Sequence, residues 1–144
     1  MCVCVCVCVW TGCITSESIV SGSSGGSIAA TLVSAGICTS DAMKVITQLV
    51  TNNEFNKDKD KGIQQVILDM LPGQESYKQC NGHLHITVTQ VSPTLIKRAL
   101  VISEFESNED LASTVSTSCF IPLWSSYALS TAFRGTRALD GGGK

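Results

Sequence analysis

The sequence lacks the features that mark several large classes of protein. No apolar run approaches the roughly 18 to 20 residues that a membrane-spanning helix needs, and no segment has the basic, apolar and small-residue order of a signal peptide. Ten Lys and Arg residues are scattered among twelve Asp and Glu residues, so no basic patch for nucleic acid appears. A Walker loop and a GxGxxG dinucleotide loop are also missing. We therefore expect a cytoplasmic protein that binds neither nucleic acid nor a nucleotide cofactor.

Histidine is scarce as well, whereas apolar residues are plentiful. The imidazoles are those of His83 and His85, which share one face of a predicted strand, and we interpret both as structural residues of that strand. A reaction that needs a base must therefore take it from another side chain. Hydrophobic residues make up 44% of the 144, which is enough to form the core of one domain.

Cysteine is abundant, but its arrangement argues against a disulfide framework. Half of the eight cysteines alternate with valine in the opening MCVCVCVCVW. An uninterrupted TG repeat would encode this tract, so the favoured interpretation of residues 1–13 is a low-complexity segment translated from a microsatellite. A genuine edge strand and a site for a soft metal such as Cu(I) are the alternatives. The other cysteines are widely spaced, which predicts reduced thiols, several of them buried.

The rest of the chain, residues 14–144, mixes helix and strand patterns. The predicted strands are residues 18–21, 83–91 and 99–105. The predicted helices are residues 25–35, a segment capped within 39–41, residues 62–71 and residues 107–118. The charged stretch at residues 52–62 is expected to be a solvated loop. Helices mixed with strands in this order predict an α/β layered fold.

The segment from residue 18 to residue 36 concentrates glycine and serine between a strand pattern and a helix pattern. It contains GSSGG, which satisfies GxSxG, a pattern whose central serine sits on a tight strand-to-helix turn. We expect the two outer glycines to be required because a side chain at either position would collide across the turn. The serine also lies where helix N–H groups and the helix dipole favour negative charge. The five residues of the pattern are Gly22, Ser23, Ser24, Gly25 and Gly26.

Ser24 is therefore the candidate nucleophile, with a flexible serine–glycine turn as the alternative. A serine hydroxyl needs a base, and Asp140 near the C-terminus is the best candidate. Gly141 and Gly142 follow this carboxylate and let neighbouring backbone approach it closely. The arrangement predicts a dyad in which Asp140 activates Ser24.

The combination of these motifs resembles the patatin-like phospholipase family. Members of that family use a serine in GxSxG and an aspartate in Asp-Gly-Ala/Gly, without a histidine. The segments NGHLHITVTQV, SNEDLASTVSTSCFIPLWSS and FRGTRALDGG are similar to the animal branch that contains adipose triglyceride lipase and adiponutrin. The similarity runs from about residue 19 to residue 142, with a divergent middle at residues 52–79.

The resemblance implies that residues 14–144 form part of a patatin-like three-layer α/β/α sandwich. It implies that Ser24 is acylated and that Asp140 acts as general base, first for the serine and then for water, in the hydrolysis of a lipid acyl ester. Substrates of that branch are triacylglycerols, other acylglycerols and phospholipids, and its members work at lipid droplets or membranes. Neither a cofactor nor a metal is implied, and protein partners are left open.

The chain departs from the family at its start. Family members begin with a strand, a glycine-rich loop that donates N–H groups to the oxyanion, and a helix, whereas here the Cys-Val tract stands in that place and Gly12 is the one glycine before residue 18. We therefore expect a truncated fold in which the first βα unit is missing. The alternative function is a non-catalytic lipid-associated fragment, because loss of one oxyanion donor costs about 10² to 10³ in rate.

An apolar segment after the last predicted helix could face lipid. Ile121, Leu123 and Trp124 supply its large side chains. We expect core packing to be the role of most of them.

Overall fold

The computed structural model describes residues 14–15, 17–37, 40–41, 44, 47, 59–92 and 97–142. Among these residues the strands are β1 (Val20–Ser23), β2 (Leu84–Val91), β3 (Lys97–Ile102), β4 (Thr131–Phe133) and β5 (Thr136–Leu139). The helices are α1 (Gly25–Ser34), α2 (Lys59–Met70), α3 (Ser76–Cys80) and α4 (Asn108–Ser118). The strands form one mixed sheet with helices packed on it, so the predicted α/β class is confirmed.

Strand β2 organises the sheet because three strands pair with it. β3 runs antiparallel along residues 86–91 of β2. A strand has two edges, and two strands share the other edge of β2. β1 pairs in parallel with residues 84–87, and β5 pairs antiparallel with residues 89–91. The two strands run toward each other and end opposite Thr87 and Thr89, positions about 7 Å apart along β2. Whatever follows β1 is therefore brought close to whatever follows β5.

The core lies on one face of the sheet. Leu84, Ile86 and Val88 alternate along β2 with no exposed surface, as period-two patterning requires. Helices α1 and α4 pack on this face, and α2 packs against α4, so that Ile67 of α2 and Leu111 of α4 belong to the same core. On the other face of the sheet, Val101 of β3 is exposed. Within the described residues, the fold thus comprises the sheet and one of the two helical layers expected.

Several element boundaries differ from those that the sequence predicts. β1 lies two residues later than expected. Helix α2 begins at Lys59, inside the predicted charged loop, and lysine has a favourable helix propensity. Helix α3 and the β4–β5 hairpin were not predicted. The hairpin turns at Arg134 and Gly135, both with positive φ, which is the geometry of a two-residue hairpin turn without its usual Asn-Gly signal.

Other predicted elements agree with the structure. Helix α4 begins after Ser107, whose hydroxyl accepts a hydrogen bond from the Asp110 N–H over 3.2 Å. Helix α1 ends where Gly36 adopts φ 70°, the left-handed conformation that glycine allows. The Cys-Val tract and most of the helix expected after residues 39–41 lie outside the described residues.

Candidate functional site

Ser24 occupies a strained turn between β1 and α1. Its φ of 53° and ψ of −135° are rare for a residue with a side chain, and such strain concentrates at functional sites. Gly22 makes the turn possible: a Cβ there would lie 2.4 Å from the carbonyl oxygen of Gly26. The prediction that Gly22 must be glycine because the turn is tight is therefore confirmed.

The same prediction is wrong for Gly26. A Cβ at Gly26 would meet no heavy atom of the described structure within 4 Å, and neither would one at Gly25. The reason is directional: a Cβ on Gly22 would point into the first turn of α1, whereas the Cβ positions of Gly25 and Gly26 are open among the described residues.

Asp140 is the first residue after β5, and its carboxylate is held by one oxygen. Its Oδ1 accepts a hydrogen bond from the Gly142 N–H over 2.7 Å, and its Oδ2 is buried without a partner among the described residues. The Asp140 N–H donates to the carbonyl of Phe120 over 2.9 Å, which ties the end of β5 to the segment after α4. One oxygen is thus held by the backbone, and the other is buried without a partner among the described residues.

Gly141 packs against the end of β1. A Cβ on Gly141 would lie 2.1 Å from the carbonyl oxygen of Thr87 and 2.6 Å from the hydroxyl oxygen of Ser23. The expected close approach of backbone beside Asp140 is therefore present at Gly141. At Gly142 a Cβ would meet Asp140 Oδ1 itself, at a distance of 3.1 Å.

Ser24 and Asp140 line the same cleft, whose volume is about 340 Å³. The Ser24 side chain makes no capping hydrogen bond to the N-terminus of helix α1. Apolar and charged side chains complete the wall. The remaining lining residues are Lys97, Ile121, Pro122, Leu139 and Gly142.

Ser118, the last residue of α4, links the two halves of the site. Its fully buried hydroxyl accepts a hydrogen bond from the Ser24 N–H over 3.0 Å and donates one to the Thr87 carbonyl over 2.7 Å. Its own carbonyl accepts a hydrogen bond from the Gly141 N–H over 3.3 Å. Ser118 is not identifiable from the sequence because it is one hydroxyl among several in STVSTS, and nothing in that run distinguishes it.

The first turn of α1 supplies hydrogen-bond donors beside Ser24. The Ser24 N–H is taken by Ser118, and the Ser27 N–H donates to the Ser24 carbonyl over 2.8 Å. The N–H groups of Gly25 and Gly26 lie between them, at helix positions that have no partner within the helix. In GxSxG enzymes the N–H after the nucleophile is one oxyanion donor. Residues 1–13, which stand where family members carry the glycine-rich loop, lie outside the described residues, so the expectation that this loop is missing stays a prediction.

Histidine lies apart from this cleft. His83 lines a different cavity of about 550 Å³, together with Val20 at the start of β1, which is the opposite end of that strand from Ser24. His85 pairs with Ser21 in the middle of the sheet. In the described part of the chain, the Nδ1 atoms of both are buried without a hydrogen-bond partner.

Cys80 and Cys119 are buried reduced thiols, in agreement with the prediction for the widely spaced cysteines. Burial raises the pKa of the Cys80 thiol to about 11. The Cys119 sulfur lies 3.7 Å from the Ser27 hydroxyl oxygen, behind the turn that carries Ser24. Among the described residues, no cluster of three metal-ligating side chains occurs and no helix is long and apolar enough to span a membrane.

Comparisons with known proteins confirm the resemblance to the patatin-like family. The chain is 36% identical over 80 residues to an omega-hydroxyceramide transacylase of Mus musculus, a match that covers 56% of this chain and 12% of the relative. It is 33% identical over 88 residues to 1-acylglycerol-3-phosphate O-acyltransferase Pnpla3 of Mus musculus, which covers 61% of this chain and 19% of the relative.

The human protein of the latter name is 26% identical over 129 residues, or 84% of this chain and 26% of the relative. The chain therefore spans about a quarter or less of the length of the curated relatives it matches. No family model matches the chain. No solved structure matches it either. These relatives carry names of enzymes that move acyl groups on lipids, so the chain is related to lipid acyl enzymes.

Proposed function

We propose that the chain carries the catalytic residues of a lipid acyl hydrolase, with Ser24 as nucleophile and Asp140 as general base. The observation that carries the proposal is that both residues line one cleft, where β1 and β5 run toward each other along β2. Ser24 is set on a strained turn, and Asp140 keeps one carboxylate oxygen without a partner among the described residues. A nucleophile next to a base is the arrangement that covalent catalysis requires.

The reaction follows from these positions. Asp140 takes the proton of the Ser24 hydroxyl as its oxygen bonds to the ester carbonyl carbon, and the negative charge on the carbonyl oxygen faces the N–H groups of Gly25 and Gly26. The carbonyl re-forms as the bond to the alcohol breaks, and the alcohol leaves with the proton from Asp140. Asp140 then takes a proton from water as the water oxygen bonds to the carbonyl carbon of the acyl-enzyme. The carbonyl re-forms as the bond to Ser24 Oγ breaks, Asp140 returns the proton to Oγ, and the fatty acid leaves.

Transfer of the acyl group to a lipid hydroxyl is the second candidate, because the relatives are named as a transacylase and as acyltransferases. Acyl transfer uses the same acyl-enzyme. In its second step a lipid alcohol, instead of water, attacks the acyl group. Either reaction needs a lipid ester, and such esters reside in lipid phases. We therefore propose that the protein acts in the cytoplasm at the surface of lipid droplets or membranes.

Serine-directed labelling tests the proposal. A fluorophosphonate is expected to modify the wild-type chain and the Ser23→Ala variant, and to leave Ser24→Ala unmodified. Ser23→Ala is the matched control, because it removes the neighbouring hydroxyl of the same turn. Absence of labelling in the wild-type chain, with the fold intact by circular dichroism, would favour the non-catalytic fragment. Products formed from a labelled acylglycerol with and without an added lipid alcohol then distinguish hydrolysis from transfer.

A further inference from the structure

An apolar loop, residues 121–129, forms one wall of the cleft and continues onto the surface. Ile121 and Pro122 line the cleft with Ser24 and Asp140. Beyond them, large apolar side chains project into solvent instead of packing in the core, so the expectation of core packing for most of this segment is wrong. The exposed members are Ile121, Leu123, Trp124, Tyr127 and Leu129.

Internal hydrogen bonds hold the loop that exposes these side chains. The Ile121 N–H donates to the hydroxyl of the buried Ser125 over 2.9 Å, and the Ser125 N–H donates back to the Ile121 carbonyl over 2.9 Å. The Leu123 N–H donates to the Ala128 carbonyl over 3.2 Å, which closes the loop. These backbone N–H groups are thus satisfied internally, as contact with a hydrocarbon phase requires.

The backbone conformation of Leu123 has an energetic cost. It has φ 63°, a left-handed conformation that costs about 1 kcal/mol or more for a residue with a Cβ and that glycine or asparagine would adopt more easily. Its side chain is nevertheless apolar and 68% exposed. The strain is not repaid by burial within the described structure, which indicates that the side chain is buried against something else.

The composition of the loop favours lipid as the occupant. The sequence has no Asp, Glu, Lys, Arg or His between Asp110 and Arg134, so no charged side chain of the loop itself must lose its hydration when the loop enters an apolar phase. Trp124 and Tyr127 have the amphipathic rings that favour the boundary between water and lipid. We propose that residues 121–129 dock the protein on the surface of a lipid phase and place the mouth of the cleft against it. This proposal rests on the proposed function, which treats the cleft as the catalytic site. It adds the surface through which a lipid substrate would enter that cleft.

Vesicle binding in the absence of catalysis tests this proposal. The parent chain carries Ser24→Ala and Trp10→Phe, so that Trp124 is the one tryptophan, and its emission is followed on adding phosphatidylcholine vesicles. We expect a blue shift, and partitioning that salt does not weaken, because the loop is uncharged. Leu123→Asn, which suits the left-handed backbone, should lower the partition coefficient roughly tenfold.

The control is Ile19→Asn, since Ile19 is 71% exposed and precedes β1 at the end of the strand remote from the cleft. This variant should keep the partition coefficient of the parent within about twofold. A parent chain that does not partition, an Ile19→Asn loss equal to that of Leu123→Asn, or binding that salt abolishes would each overturn the proposal. Fluorophosphonate labelling of the wild-type chain is measured separately, so failure of the catalytic assignment and failure of the docking surface are distinguishable.

Discussion

The hydroxyl of Ser118 bridges the backbone N–H of Ser24, 3.0 Å away, and the backbone carbonyl of Thr87, 2.7 Å away. The bridge joins the turn that carries Ser24 to the central strand at the point where β1 ends. Because Ser118 is fully buried, water cannot replace its hydroxyl without a local rearrangement. The orientation of Ser24 therefore depends on a side chain that does not line the cleft.

Ser118→Ala should weaken both the fold and the reactivity of Ser24. The substitution leaves a buried N–H and a buried carbonyl without this partner, which costs about 1 to 3 kcal/mol of the free energy of unfolding. Chemical denaturation measures that loss, and the rate of fluorophosphonate labelling measures the effect on Ser24. We expect labelling to slow at temperatures where the variant remains folded, because the turn loses its anchor.

Thr114→Val is the matched control for that experiment. It also removes a buried hydroxyl from α4, but its hydrogen bond, to the Asp110 carbonyl over 2.8 Å, stays within the helix. Labelling of Thr114→Val should match that of the wild-type chain. Equal labelling rates for Ser118→Ala and Thr114→Val would show that Ser118 has no positioning role.

Alanine substitutions at the two outer glycines of GSSGG should have opposite effects. Gly22→Ala places a methyl group 2.4 Å from the Gly26 carbonyl oxygen, so the turn must open and the chain should lose about 2 kcal/mol or more of stability. Among the described residues, the new methyl group of Gly26→Ala meets no atom within 4 Å, and the position lies in a helix, where alanine is favoured over glycine by up to about 1 kcal/mol. Thermal unfolding of both variants checks this ordering, and a Gly26→Ala loss as large as that of Gly22→Ala would contradict it.

Asp140→Asn should abolish ester turnover with little loss of stability. The asparagine side chain retains an Oδ1 atom that can accept the hydrogen bond from the Gly142 N–H, but it cannot take a proton from Ser24. We expect the unfolding midpoint to stay close to that of the wild-type chain while turnover of a soluble ester falls by about 10² or more. Retained turnover would remove Asp140 from the mechanism, whereas a large drop in the midpoint would reveal a structural need for the charge.

Stability should fall in alkaline solution because of Cys80. Its pKa is raised by burial from 9.0 to about 11, so the unfolded chain loses the thiol proton at lower pH than the folded chain does. The stabilisation is complete below pH 9 and is lost as the pH rises toward 11, by about 3 kcal/mol at most. Cys80→Ala should remove this part of the pH dependence. Identical slopes for the two chains in denaturation above pH 9 would contradict the assignment.

The sequence predicts the local parts of this structure well because their causes are local. The alternation in HLHITVTQV, the cap at Ser107 and the glycine at position 36 each act within a few residues, and each appears as expected. The need for glycine at position 22 is predictable for the same reason, since the turn that requires it spans five residues. The requirement at Gly26 was overestimated because a motif does not give the direction in which each Cβ would point.

The parts that could not be predicted depend on contacts between distant segments. Ser118 acts through Ser24 and Thr87, which lie 94 and 31 residues away in the chain. The exposure of Leu123 depends on how the loop closes on Ala128 and not on its own hydropathy. The pairing of Ser24 with Asp140 stays a prediction of function, although its geometric basis, two strands meeting on one edge of β2, is explained by the sheet register.

That meeting of β1 and β5 also sets the order in which the site can be assembled. Contacts between segments more than a hundred residues apart form late, since the intervening chain loses much conformational freedom when it closes. During synthesis, the hydroxyl of Ser24 leaves the ribosome long before the carboxylate of Asp140 exists. A nascent chain is therefore expected to be unreactive toward esters until the β4–β5 hairpin has folded onto β2.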